Sequence, residues 1–179
     1  MRQPALRYTR VAIALHWLVA LLVLGQIFFG GYLELVPRGS ASRGGLVNWH
    51  KSIGLTIWLL VWIRLGWRLR HAPPPASARL PAWQRGAATA VHWGLYACLL
   101  LAPLAGYIAS NFSKYGVTLY GLWRLAPWGR DDKAMYQLFN GIHVFTAWTL
   151  ATLVALHVAA GIYHAARRDG VMARMWPAR

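Results

Sequence analysis

The stretch His143-Val144-Phe145-Thr146-Ala147-Trp148-Thr149-Leu150-Ala151-Thr152-Leu153-Val154-Ala155-Leu156-His157 carries two histidines on an otherwise uncharged, largely apolar segment. In an α-helix their fourteen-residue separation rises about 21 Å, at about 1.5 Å per residue, and falls about 40° short of four full turns. Both imidazoles then leave one face of one helix, one toward each edge of a hydrocarbon layer about 30 Å thick. Polar rings at membrane depth are costly, which makes them functional candidates. Two further apolar segments carry a histidine near one end, His16 and His50.

Working outward, the 179 residues are 58% hydrophobic with a mean hydropathy of +0.37. That composition suits an integral membrane protein rather than a soluble domain. The expected fold class is all-α, a transmembrane four-helix bundle forming one domain over residues 1–179. The spans read as Val11–Leu33, Asn48–Leu69, Arg85–Ala109 and Met135–Ala166. The basic start followed by an apolar run imitates a signal peptide, but the run is long and no A-x-A-like site follows, so it reads as a retained first span. Gly25, Gly30 and Gly31 are expected to allow close helix approach, and Pro103 to kink span three. The Pro73-Pro74-Pro75 run breaks any helix between spans two and three. The loop Ser110–Lys133, with Tyr115, Tyr120, Trp123 and Trp128, is expected to lie on the membrane surface and to include a short interfacial helix.

The net charge of +15 does not signal nucleic acid, because the basic residues cluster at span ends rather than along one face. Twelve arginines, Arg2, Arg79 and Arg179 among them, fall on the side of the termini. Seven basic residues fall on the other side: Arg38, Arg43, Lys51, Lys114, Arg124, Arg130 and Lys133. The richer side is expected to be cytoplasmic, with both termini inside. Cys98 is the single cysteine, and no C-x-x-C-H occurs, which excludes a covalently attached c-type haem. Cys98 reads as a small packing residue.

Depth pairs His16 with His157 in the cytoplasmic half and His50 with His143 in the outer half. Two neutral imidazoles fill both axial positions of a haem iron and favour electron transfer over oxygen chemistry. Zinc fits less well, since the pairs are far apart and offer no thiolate or carboxylate. His92 competes with His16 on depth alone. His164, seven residues beyond His157, is either a solvated interfacial residue or one that passes a proton to a quinone. His71, beside the proline run, is expected to be exposed.

The motifs His16-Trp17-Leu18, His50-Lys51-Ser52-Ile53-Gly54, His92, Pro103-Leu104-Ala105-Gly106-Tyr107, His143, Leu156-His157, His164 and Arg167-Arg168-Asp169-Gly170 through Arg174-Met175-Trp176-Pro177 resemble the bacterial cytochrome b561 family. The resemblance implies a small four-helix dihaem protein of the bacterial inner membrane. It implies that His16, His50, His143 and His157 bind two haem b groups, and it demotes His92. It further implies electron transfer between the periplasmic side and the membrane quinone pool, with superoxide as donor and ubiquinone as acceptor in members that act as superoxide oxidases. An outer face with seven basic residues against Glu34, Asp131 and Asp132 would attract such an anion. Lys51 is a candidate for steering the donor or pairing a haem propionate, with membrane-interface snorkelling as its plain alternative. Arg10 and His164 are candidates for bordering the quinone. A haem b subunit anchoring a partner dehydrogenase or hydrogenase is the alternative function, with the aromatic loop as docking surface. A haem-free scaffold or transporter is the non-redox alternative.

Overall fold

The computed structural model describes residues 7–75 and 80–176. Arg2, Arg79, Arg179 and Pro177, used above, lie outside the described residues. Four helices, each long and apolar enough to cross a membrane, make up most of the chain. They are α1 (Arg10–Leu35), α2 (Arg43–Arg70), α3 (Ala82–Asn111) and α4 (Lys133–Arg167). A 3-10 turn, Met172–Arg174, follows α4.

The helix ends are built from local chemistry. Thr9 Oγ1 caps α1 by accepting from the Ala12 N–H at 3.2 Å, satisfying one of the free donors of the first turn. At the other end of α1 the Arg43 guanidinium donates to the carbonyls of Leu33 and Val36, placing a cation where the helix dipole is negative. α2 begins at Arg43, five residues before the apolar pattern starts. Asp132 Oδ1 accepts from the N–H groups of Ala134 and Met135 and starts α4. α4 ends where Arg168 turns into the left-handed region at φ 51°. α3 runs through Pro103 without interruption.

α1 packs on α2, α2 on α3, and α3 along α4. Val19, Val23, Ile57, Val61, Tyr96, Cys98 and Leu150 form one buried cluster. In every helix that contributes to a histidine pair, these residues lie between the levels of the histidines. The core is thus an apolar layer at mid-depth. α4, 35 residues long, buries Thr146 and Leu150, which lie on the same face as its histidines, and leaves Phe145, Trp148 and Leu156 exposed on its other side.

The loop before α4 differs from expectation. It holds no interfacial helix; Val117–Leu119 (β1) and Trp123–Leu125 (β2) pair as an antiparallel hairpin. The reason is local. Gly116, Tyr120 and Gly121 all take positive φ, which stops helix propagation, and β-branched Val117 and Thr118 favour the strand. Close approach at the glycines is also narrower than expected. A Cβ on Gly25 or Gly31 would meet nothing within 4 Å, whereas on Gly30 it would lie 3.3 Å from His50 Cε1.

Candidate haem-binding pairs

α4 presents His143 and His157 on one face, and the bundle brings a second imidazole to each. The His50 and His143 ring centres are 6.1 Å apart with planes at 88°. The His16 and His157 centres are also 6.1 Å apart, at 79°. Metal–imidazole bonds are about 2.0–2.1 Å long, and a ring nitrogen lies roughly 1 Å from its ring centre, so a metal held between two imidazoles sets their centres roughly 6 Å apart. Both pairs meet that spacing. His92 also reaches His157, at 5.4 Å and 68°, closer than the spacing common to the other two pairs.

Which nitrogen is available follows from the hydrogen bonds. His143 Nδ1–H donates to the Ala102 carbonyl at 2.8 Å, which leaves Nε2 with its lone pair toward the pair's interior. Gly106 makes this possible: a Cβ there would sit 2.9 Å from His143 Nδ1. His16 is held differently. An Arg64 guanidinium nitrogen lies 2.8 Å from His16 Nδ1, and guanidinium can only donate. In this arrangement Nδ1 accepts and the ring proton sits on Nε2, so a metal on Nε2 requires Arg64 to release the ring. At the other pair, Gln26 Nε2 donates to the His50 carbonyl at 2.6 Å. His50 Nδ1 and Gln26 Oε1 are buried without a partner among the described residues. Gln26 lines an open cleft of about 230 Å³ together with Leu21, Leu22, Gly25, Phe29 and Ile53, and the Phe29 ring centre is 5.8 Å from that of His50. Orphaned buried polar atoms next to open space mark where a further group completes the bonding. The donor set and its spacing fit a haem.

The remaining candidates are spread over both ends. Lys51 Nζ donates to the Gly116 carbonyl at 2.8 Å, so the residue beside His50 holds the hairpin. Arg10 is the exposed first residue of α1. It lies at the same end as His164, because the Tyr8 N–H bonds to the Arg174 carbonyl there. No bond joins Arg10 to His164 among the described residues. His164 Nδ1–H donates to Asp169 Oδ2 at 2.6 Å, and Asp169 Oδ1 accepts from the Val171 N–H. Burial works to raise the Asp169 pKa, but these two hydrogen bonds and the charges of His164 and Arg167 outweigh it and hold the carboxyl below its usual range. His71 is exposed and stacks on Trp67, with ring centres 4.0 Å apart.

Gly106, Arg64 and Asp169 were not singled out from sequence as functional. Asp169 carried a usable signal, an acid five residues past a histidine across a helix end. Gly106 and Arg64 carried none, because their partners are 37 and 48 residues away in the chain.

The Arg64 end is strongly basic. Arg64 and Arg68 lie over the Tyr96 ring at 5.8 and 5.7 Å, and Arg68 over Trp93 at 5.6 Å.

The family model for prokaryotic cytochrome b561 matches residues 7–178. "Cytochrome b561 homolog 1" of Escherichia coli (strain K12) is 28% identical over 174 residues, 97% of this chain and 98% of that protein. "Probable superoxide oxidase CybB" of Yersinia pestis is 28% identical over 179 residues, 96% of each chain. "Cytochrome b562" of Cereibacter sphaeroides is 25% identical over 177 residues, 94% of each.

Proposed function

Because the chain belongs to the prokaryotic cytochrome b561 family, haem-binding electron-transfer proteins of bacterial membranes, we propose that it holds two haem b groups and passes electrons across the inner membrane to ubiquinone, with superoxide as donor. His50 and His143 hold one haem, and His16 and His157 the other. The observation that carries this reading is the recurrence of one 6.1 Å imidazole separation at two levels of the bundle. His92 stands closer to His157 than that shared distance, which supports His16 as the ligand.

Haem b, held by His50 and His143 and by His16 and His157, would supply one-electron storage and transfer. The chain's own residues do the rest. The Ala102 carbonyl fixes the His143 ring through Nδ1. The apolar layer of Val23, Ile57, Val61 and Leu150 keeps water from the space between the two levels. The termini face the cytoplasm, where the excess of arginine lies. Basic residues at the opposite face gather the superoxide anion. Lys51 spends one of its three donors on Gly116 and keeps two for an anion near His50. At the cytoplasmic end His164, oriented by Asp169, delivers protons to the quinone, with Arg10 at the rim. Two superoxide anions, one ubiquinone and two protons then yield two dioxygen molecules and one ubiquinol.

The test is quinone reduction by the purified protein alone, supplied with superoxide and ubiquinone. Rapid ubiquinol formation at two superoxide per quinol is expected. Reduction only after addition of a dehydrogenase or hydrogenase would instead assign the anchor-subunit role.

A further inference from the structure

The hairpin lies along α2 rather than above it. Besides Lys51, the α2 residues hydrogen-bonded to it are Asn48, Ser52 and Thr56, four residues apart and therefore on one stripe, which covers about 12 Å of helix at about 1.5 Å per residue. Asn48 Oδ1 accepts from the Thr118 N–H at 3.2 Å, and Ser52 Oγ from the Tyr120 N–H at 2.9 Å. The Thr56 and Tyr120 hydroxyls are 2.5 Å apart. Ser52 has no exposed surface. Non-helical backbone is tolerated at membrane depth only where its polar groups are met, and this stripe of α2 meets those of Thr118 and Tyr120.

Two apolar residues at the hairpin's tip are left exposed. Leu122 is 91% exposed and Trp123 75%. Further along α2, Leu59 and Trp62 are exposed, while exposed Arg124 follows the tip and exposed Lys114 precedes β1. An apolar and aromatic tip beside cations matches the boundary between acyl chains and phosphate headgroups.

We propose that the β1–β2 hairpin dips into the bilayer leaflet at the His50 end, seating Leu122 and Trp123 in the acyl–headgroup boundary and Arg124 among lipid phosphates. The occupant of this surface is lipid, because the hairpin lies against α2, a helix long and apolar enough to cross a membrane, and its tip is apolar and exposed. The inference rests on α2 spanning the membrane and not on the choice of electron donor or acceptor.

The test uses haem-loaded protein in lipid nanodiscs containing phosphatidylglycerol, with Cys98→Ala to remove the one native thiol. Nitroxide labels are placed singly through Leu122→Cys, Leu59→Cys and Arg38→Cys, the last in the exposed α1–α2 loop. The ratio of accessibility to oxygen over a water-soluble nickel chelate is expected to be similar at 122 and 59 and several-fold higher than at 38. A ratio at 122 equal to that at 38 overturns the proposal. So does a label at 122 shielded from both reagents, which would mean that a second copy or another protein covers the tip. Should the Cys98→Ala background fail to fold, Trp123→Phe in the native chain gives the same answer with brominated lipids. Loss of part of the quenchable tryptophan emission is expected, and an unchanged quenched fraction contradicts it.

Discussion

Gly106→Ala is the most local perturbation of the proposed haem site. The added Cβ would stand 2.9 Å from His143 Nδ1, 3.3 Å from Cε1 and 3.5 Å from Cγ. Comfortable carbon contacts are about 3.5–4.0 Å, so the ring must retreat by about half an ångström. It cannot do so and keep its 2.8 Å bond to the Ala102 carbonyl. Loss of the partner that orients a ligating histidine typically costs about 10–100-fold in metal affinity. The same substitution favours the helix itself by about 0.5–1 kcal/mol, so the fold should not suffer. The assay is haem per protein with a reduced-minus-oxidised spectrum, alongside circular dichroism. The ratio is expected to fall from two toward one with helix content unchanged. Gly30→Ala, with its single contact at 3.3 Å to His50 Cε1, should lose less, and Gly31→Ala, which meets nothing within 4 Å, should lose none. A Gly106→Ala protein with two haems and native potentials would refute the reasoning.

Three other outcomes follow from the same geometry. His143→Ala should lose the haem at the His50 end and His157→Ala the other, each leaving one; native haem content in either variant contradicts the pairing. Neutralising Arg38 and Arg130 should slow the superoxide reaction at about 10 mM salt and much less at about 150 mM, where the screening length is roughly 8 Å; an equal rate at low salt removes steering from the account. Asp169→Asn should slow quinone reduction with both haems retained, and Asp169→Glu should restore it. Because the Asp169 pKa is lowered in the fold, its hold on the C-terminal turn is present above the ordinary carboxylate value near about 4 and is lost as pH falls through the lowered one. Proteolysis of that turn should therefore rise on acidification in the native chain, and a flat pH profile would count against the bond.

The parts of this protein that depend on periodicity were legible in its sequence. Histidines fourteen residues apart in an apolar run commit α4 to two imidazoles on one face, and apolar runs between arginines mark the helices. What was not legible depends on partners distant in the chain. Nothing near Lys51 says that its ammonium is engaged by a carbonyl 65 residues later. The polar stripe Asn48-Ser52-Thr56 reads as a helix face only until a hairpin is known to lie on it. The aromatic loop suggested a helix because composition weighs side chains, whereas its course is set by the backbone at Gly116, Tyr120 and Gly121. Arg64 was counted as a topological charge, and only packing reveals its contact with His16.

The central claim is that four imidazoles, in two pairs at different depths, each close both axial positions of a haem. Its most direct test is the haem-to-protein ratio of the purified chain, read with its reduced spectrum before and after carbon monoxide. Two b-type haems per chain with a spectrum unmoved by carbon monoxide is the expected result. One haem per chain, or a carbon monoxide adduct on either, would contradict it.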